Sequence, residues 1–437
     1  MGHAVGKELY RNLGKKIDGL TLRAPWNEAF YGILKELYSE EEADVVVKMP
    51  YSLSRFEKIA RAIRYEESRL RDILNTLCAK GLVIDFWIDG NYWYMPSPMI
   101  VGIFEMTMMR VQPNADYKRC AALFHEYLND SDSFYSSNAS HGERTNVMRT
   151  LAHREAISET DFVEVLDYET ATSVIEQANR FAIGYCSCRH EKVHVGEKTC
   201  SVPLETCSSF GIVADYLVRH AMAREVSKAE MLENVSRSKE LKLVLTADNI
   251  RKGTTFMCHC CKCCCNVLLG INKHGYPNVL VTSSYIAEID DAKCTGCELC
   301  VKNCPVNAIE MVAVAVTEGE RRKKAVVDRS ICLGCGVCGL ACRKGVAVLA
   351  KRAKRVLHPE TTFERVILQT LERGTLQNQL LDVPGRVSGK VMRGIIGGFL
   401  RLPPVKQAVM SELLRSTFLW SMKAGARLQG KEALTRL

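Results

Sequence analysis

Twenty of the 437 residues are cysteine, and eighteen of these fall between Cys186 and Cys342. Thiolates are soft ligands, suited to zinc, copper and iron–sulfur centres. The most regular of them form the run Cys294-x2-Cys297-x2-Cys300-x3-Cys304-Pro305, which recurs as Cys332-x2-Cys335-x2-Cys338-x3-Cys342. Two-residue steps let a tight loop wrap three thiolates around one face of an iron–sulfur cube, with Gly296, Gly334 and Gly336 relieving the backbone crowding. The fourth cysteine of each run is expected to start a short helix. Tetrahedral zinc sites use separated cysteine pairs instead of such runs.

Ten further cysteines precede these motifs. Cys186-Ser187-Cys188-Arg189 leads to Cys200 and Cys207, and a knot follows in which Cys258, Cys260, Cys261, Cys263, Cys264 and Cys265 occupy six of eight positions. Packing does not require such a run, so it is expected to be reactive or metal-bound. One partition gives a cluster to Cys186, Cys188, Cys200 and Cys207 and another to four thiols of the knot; a mixed arrangement fits equally, and structural zinc is the alternative to iron–sulfur clusters here. His190, His194 and His259 lie close by in sequence; they could ligate metal, but a neutral surface imidazole is the commoner reading and the one adopted. Arg189 either offsets the charge of a thiolate-bound centre or makes an ordinary salt bridge.

The elements that must position these residues read as follows. Residues 26–98 give three helices, around Phe30–Leu37, Leu53–Ala60 and Arg69–Leu77, with Gly81 as a C-cap. Two strands then flank the turn Asp89-Gly90-Asn91. Residues 111–185 read as a mixed helical connector, with a Ser/Asn/Asp-rich loop from Asn129 to Ser140 and a helix from Thr170 to Ile183. Residues 186–284 form the Cys-rich region. Across 285–352, Ile286–Ile289 and Ile309–Val312 bracket the first regular motif, and Ala325–Asp328 and Val346–Leu349 bracket the second, a duplicated strand–helix–strand unit. The charged stretch Glu318–Lys324 reads as a solvated hairpin tip. Residues 353–437 form a basic helical tail, with Val387, Val391, Ile395 and Phe399 on one amphipathic stretch and a stronger helix from Val405 to about Met422. The fold class is therefore α+β and multidomain.

Composition narrows the function. Apolar residues are 47% and charged residues 25% of the chain, a normal globular balance. Net charge is +9, but residues from Lys351 onward hold 16 basic and 6 acidic side chains, which leaves the body neutral. No apolar run reaches the roughly 18 residues of a membrane span, and Met1–Glu8 has no signal-like hydrophobic stretch. A reducing, cytoplasmic location is expected; the basic tail reads as docking on a partner or packing on its own protein, with peripheral contact at the inner face of the membrane as the alternative. Neither a dinucleotide fingerprint, a phosphate loop, a nucleophile elbow nor an evident acid/base pair is found.

Residues 285–352 resemble a two-cluster bacterial ferredoxin domain, and all eight cysteines match its pattern. The resemblance implies that Cys294, Cys297, Cys300 and Cys342 hold one 4Fe–4S cluster, and that Cys332, Cys335, Cys338 and Cys304 hold the other. Arg343 departs from the pattern, where proline usually follows the fourth cysteine. Residues 26–98 resemble a winged-helix domain. Between Arg55 and Tyr94, however, seven basic residues face six acidic ones, a poor footprint for DNA. The whole resembles a broad group of ferredoxin-like proteins of anaerobic bacteria and archaea, which implies one or two additional iron–sulfur clusters upstream. The function expected is electron transfer to or from a redox protein partner or as a subunit of an oxidoreductase. The alternative is a redox-responsive transcription regulator whose winged helix binds DNA.

Overall fold

The computed structural model describes residues 2–111, 117–140, 143–158, 168–317, 320–353, 356, 358–381 and 387–437. Its first part is helical because capping side chains and apolar faces agree. Helix α1 (Gly2–Asp18) buries Leu13 and Ile17. Asn27 caps α2 (Glu28–Leu37) by accepting from Phe30 N at 2.7 Å, and Ser39 and Glu42 form a capping box on α3 (Glu40–Lys48). The sequence reading assigns no helix to α3, whose Val45-Val46-Val47 run is β-branched.

The helix expected from Leu53 begins only at α4 (Phe56–Ala62), because β1 (Ser54–Arg55) pairs with Trp93 and Tyr94. Helix α5 (Glu67–Lys80) ends at Gly81, where φ is 78° and a Cβ would lie 2.3 Å from Met106 Cβ. Strands β2 (Val83–Ile88) and β3 (Asn91–Pro96) turn through Asp89 and Gly90, both at positive φ, and the sheet order is β1-β3-β2. Helices α6 (Phe104–Met109), α7 (Lys118–His125) and α8 (Ser133–Ala139) follow. The expected loop at Asn129–Ser140 is thus helical from 133 to 139. Phe134 and Tyr135 bury against the same core as α1 to α5, which is worth more than the polar neighbours cost.

A six-stranded antiparallel sheet was not anticipated. It comprises β4 (Met148–Thr150), β5 (Phe181–Tyr185), β6 (Glu205–Phe210), β7 (Ala223–Glu225), β8 (Val244–Asp248) and β9 (Phe256–Cys260), in the order β4-β8-β9-β6-β5-β7. It draws strands from both sides of residue 186. The helix expected over Thr170–Ile183 stops as α9 (Ala171–Gln177), and Phe181–Tyr185 is β5. Helices α10 (Ser187–His194), α11 (Gly211–Arg219), α12 (Lys228–Glu240) and α13 (Asn266–His274) complete this part. Ile175 of α9 and Met231 and Val235 of α12 pack on Leu245, Ala247 and Met257 of the sheet.

The duplicated unit runs β10 (Tyr285–Ile289), α14 (Leu299–Asn303), β11 (Ile309–Thr317), β12 (Glu320–Val327), α15 (Val337–Ala341) and β13 (Ala347–Lys351). β10 pairs with β13 and β11 with β12, both antiparallel. Each short helix precedes its fourth cysteine, which caps the C-terminal end, instead of following it. Most of the charged stretch is strand β12; Glu318 and Gly319 lie outside the described residues.

The tail comprises α16 (Thr362–Glu372), α17 (Leu376–Leu380), α18 (Val387–Arg401), α19 (Pro403–Met410) and α20 (Glu412–Leu428). The single helix expected from Val405 to Met422 is broken at Ser411, whose ψ of 151° ends α19 and whose Oγ accepts from Leu414 N to cap α20. Gln369, Thr375 and Asn378 donate to the carbonyls of Thr21, Leu20 and Gly19, tying this tail to the end of α1. Val391, Ile395, Phe399 and Trp420 stay exposed. Lys354, Arg355 and Arg386 lie outside the described residues. Among the described residues no helix is long and apolar enough to cross a membrane.

Candidate metal centres

The two regular motifs are built alike. Asp290 Oδ1 accepts from Ala292 N at 3.0 Å and Asp328 Oδ1 from Ser330 N at 2.8 Å, so each loop starts with the same side-chain turn. Cys294 N then donates to Asp290 O and Cys332 N to Asp328 O. The loops continue through Gly296 (φ 69°) and Glu298 (φ 63°) in one motif, and Gly334 (φ 69°) and Gly336 (φ 84°) in the other. A Cβ on Gly334 would lie 2.1 Å from Tyr285 O, so the loop approaches β10 as only glycine permits.

A cavity of about 190 Å³ is lined by Cys294, Cys297, Cys300 and Cys342, with Arg343 also in its wall. A smaller one, about 20 Å³, is lined by Cys304, Cys332, Cys335 and Cys338. Each short helix therefore serves both cavities. Cys300 on α14 faces the first and Cys304 at its end the second; Cys338 and Cys342 do the reverse on α15. Cys297 is exposed, and the other seven are buried or half-buried.

Burial pushes Cys338 up to about 12 and raises Cys300 and Cys304, so these thiols ionise only beside a positive partner, the role a metal fills. Burial also acts on Cys342, but backbone N–H groups of residues 344–347 outweigh it and hold the thiol below its ordinary range. Ala308 N donates to Cys304 Sγ at 3.2 Å. This donor set fits iron–sulfur cubes.

The ten upstream thiols divide into a mixed arrangement. Cys200 leaves Cys186, Cys188 and Cys207 and joins the knot: its Sγ is 3.7 Å from that of Cys261 and 3.9 Å from that of Cys264, while Cys263 lies 3.8 Å and 3.5 Å from the same two. The remaining six meet on the sheet. In the antiparallel pairing of β6 with β9, where Ser208 faces Met257, Cys207 comes opposite Cys258. Cys258 and Cys260 share a strand face because side chains alternate. Hydrogen bonds join Cys207 to Cys258, Cys258 to Cys260, and Cys260 to Cys265, which in turn meets Cys188. Cys186 lies within electrostatic range of Cys188 and Cys207.

The neighbouring polar residues are buried, contrary to the surface reading of the histidines. His259 points to the other face of β9. Its Nε2 meets Ser208 Oγ at 2.8 Å and its Nδ1 Ser238 Oγ at 2.6 Å, and burial depresses its pKa to about 3. His190 Nδ1 meets Met108 O at 2.6 Å, and its Nε2 meets His194 Nε2 at 3.0 Å. Both nitrogens of His190 and of His259 are thus used within the protein. Arg189 is fully buried and donates to Thr206 Oγ1, Pro203 O and His259 O. Burial alone would weaken its charge, but the thiols of Cys186 and Cys261 more than compensate, so its role is to face thiolates from both sets. Sequence reasoning missed Glu191 and Lys192, also fully buried on α10. Asn266 Nδ2 donates to Glu191 Oε2 at 2.6 Å, and Lys192 Nζ lies 3.1 Å from Glu191 Oε1, linking α10 to the start of α13. Their polarity marks a surface helix in sequence, so no signal announced them.

A further cavity, about 630 Å³, borders Cys207 and Cys258. Glu105 is in its wall, accepting from Gly102 N at 3.0 Å, and burial raises its carboxyl to about 7.

A family model for the 4Fe-4S dicluster domain matches residues 293–346. No curated protein and no solved structure matches the chain. The match and the thiol groups together make this an iron–sulfur protein with at least one 4Fe–4S cluster.

Proposed function

We propose that the chain transfers single electrons between redox partners through two 4Fe–4S clusters in residues 285–352 and a further iron–sulfur centre upstream. Cys294, Cys297, Cys300 and Cys342 would hold one cluster, and Cys332, Cys335, Cys338 and Cys304 the other. When bound, such clusters supply one-electron chemistry at a potential set by hydrogen bonds, burial and nearby charge. The observation that carries the reading is the sharing of α14 and α15 between the two thiol quartets. One helical turn, about 6 Å of rise, separates Cys300 from Cys304, which keeps the two centres close.

The upstream thiols adjoin the same unit. Lys262 Nζ donates to Asn307 Oδ1 at 2.7 Å, and Asn272 Nδ2 of α13 to Pro305 O at 2.9 Å, so the knot abuts the segment holding Cys304. Electron transfer also suits the N-terminal unit, which we read as a winged-helix-like docking module for a protein partner. On the exposed side of α5, Arg69 is engaged by Glu41 and neighbours Glu67 and Asp72, so no concentrated positive face forms there.

Anaerobic purification, iron and sulfide quantification and EPR after dithionite test the proposal. More than eight irons per chain, with two interacting reduced clusters from residues 285–352, are expected; about eight would leave the upstream thiols without an iron–sulfur centre. Cys304→Ser and Cys342→Ser should each alter a different one of the two signals. A colourless protein, or one whose reduced signals are insensitive to both substitutions, overturns it.

A further inference from the structure

The four thiols of Cys200, Cys261, Cys263 and Cys264 touch one another. Neighbouring sulfurs lie 3.5 to 3.9 Å apart, and all four fall within 4.8 Å of each other. Four thiolates placed about 2.3 Å from one central ion stand about 3.8 Å from each other in a regular tetrahedron. A cubane instead takes its four thiolates on four separate irons, which holds the sulfurs out of mutual contact. We infer that Cys200, Cys261, Cys263 and Cys264 bind a single tetrahedral ion, zinc or iron, and that this part of the upstream region holds no cube. Four protein ligands leave no open position, so the ion is structural. It fastens the loop after α10, which carries Cys200, to the turn between β9 and α13. Val202 and Leu243 pack beside it, and Arg189 supplies positive charge at Cys261.

The test uses the full chain purified without air. Cys200→Ser alters a half-exposed loop residue. It should lose one ion per chain while sulfide stays at the wild-type level. Loss of about four irons with four sulfides, or loss of no metal at all, overturns the inference. Should the variant fail to fold, the wild type still decides. Zinc at one per chain with four sulfur neighbours in its X-ray absorption spectrum supports the assignment. If zinc is absent, an iron not matched by sulfide also supports it, and iron wholly matched by sulfide overturns it.

A second inference rests on a different observation, the 630 Å³ cavity. Ligand sites have about this size and are mostly apolar with a few polar groups. Ile84, Met109, Phe210 and Ile212 line it on one side, Val366 and Met422 of the tail on another, with Glu105 and the thiols of Cys207 and Cys258 at its wall. The basic groups in the same wall are already engaged: Arg365 faces Asp248 at 3.7 Å, Arg436 faces Glu432 at 3.6 Å, Lys431 Nζ donates to Ser52 Oγ at 2.7 Å and Arg251 lies near Glu360. We propose that this cavity binds an uncharged, mainly apolar small molecule in contact with Cys207 and Cys258. The uncharged naphthalene dye prodan serves as probe on the anaerobically purified holoprotein. Ile212→Trp and Val366→Trp fill the space from α11 and α16, and a tenfold or greater loss of dye affinity in either is expected. Unchanged affinity in both, or an equal loss in the exposed-surface variant Trp420→Ala, overturns the proposal.

Discussion

Gly334→Ala tests whether the second thiol loop depends on its approach to β10. Gly334 has φ of 69°, and a left-handed conformation costs a non-glycine residue about 1–2 kcal/mol. Its Cβ would also meet Tyr285 O at 2.1 Å and Ser283 Oγ at 2.3 Å, where backbone has to move. Overpacking of this kind adds about 1–3 kcal/mol. Gly90 is the matched control: its φ is 77°, but nothing lies within 4 Å of the added methyl. Gly90→Ala should therefore cost about 1–2 kcal/mol, and Gly334→Ala about 2–5 kcal/mol. Hydrogen exchange read by mass spectrometry reports local opening free energy. Protection of the peptides over 328–342 should fall by about 30- to 5000-fold in Gly334→Ala, against about 5- to 30-fold for the hairpin in Gly90→Ala, taking 1.36 kcal/mol per factor of ten. Equal losses in the two variants would refute the argument, because the close approach would then contribute nothing.

Three further outcomes follow from the same geometry. Arg189→Met removes a buried cation that faces thiols of both upstream sets, and should cost about 3 kcal/mol or more and lower upstream metal content while leaving the absorbance of the 293–346 region intact; metal analysis and hydrogen exchange check this. Asp85 accepts from Arg219 Nη1 and lies 2.8 Å from His220 Nε2; burial raises its pKa, but these two partners together lower it. A depressed carboxylate pKa contributes stability that is present above the unfolded value of about 3.9 and is lost as pH falls through the folded value. Protection of β2 should thus be level from pH 7 to about 4 and drop below it, whereas Asp85→Asn lacks the drop and starts about 1–3 kcal/mol lower. Phe399→Glu and Trp420→Glu replace side chains that are 58% and 69% exposed, so stability should change by less than about 0.5 kcal/mol. If the tail lies on a membrane surface, the same changes abolish sedimentation with anionic vesicles; unaltered sedimentation refutes that role.

What was legible in the sequence was what spacing alone carries. The two cysteine runs fix their own loops, since a thiolate two or three residues from the last is held near it by the chain; the exchange of the fourth cysteines came from the ferredoxin resemblance instead, and the structure brings each of those quartets to one cavity. Gly81 and Asp89-Gly90 were equally readable, because each marks a backbone conformation that other residues resist. The sheet was not. Its strands are three to six residues long, and β6 and β9 are joined across some fifty residues, so the pairing that brings Cys207 against Cys258 is a long-range fact. The division of the ten upstream thiols depended on that pairing, which is why Cys200 was as compatible with Cys186 and Cys188 as with the knot. Helix α10 shows the opposite failure. Arg189, Glu191 and Lys192 have surface composition, yet are buried because Glu191 and Lys192 pair with each other, Asn266 and His125, and Arg189 with Thr206, the His259 carbonyl and nearby thiols. Ser411, finally, broke an apolar periodicity that continued through it, since capping a new helix competed with extending the old one.

The way the cysteine motifs are docked gives the proposed electron path a direction. Residues 293–346 are not a module on a tether. His153 N donates to Cys335 O at 3.0 Å, Ser158 N donates to Leu349 O at 2.9 Å, and Ala156 packs so tightly on α15 that a Cβ on Gly336 or Gly339 would come within 2.8 Å of it. All these contacts fall on the half that lines the Cys304, Cys332, Cys335 and Cys338 cavity, which also abuts the knot through Lys262 and Asn307. The other quartet keeps the exposed thiol, Cys297, with Lys293 and Lys302 largely in solvent beside it. A protein partner can approach this second side closely, whereas the first is covered by the sheet body. On the proposed function, exchange with a partner therefore takes place at the Cys297 side, and the Cys304 side connects inward to the six thiols on β6, β9, α10 and the start of α13, of which Cys260 and Cys265 share its hydrophobic core. The 630 Å³ cavity lies where that inward path ends, against Cys207 and Cys258. A wire that joins two proteins bound at the same time needs two exposed ends. On the proposed function this chain would bury one of them beside a space large enough for a small molecule, which favours an electron-transfer subunit with a terminal binding site over such a wire.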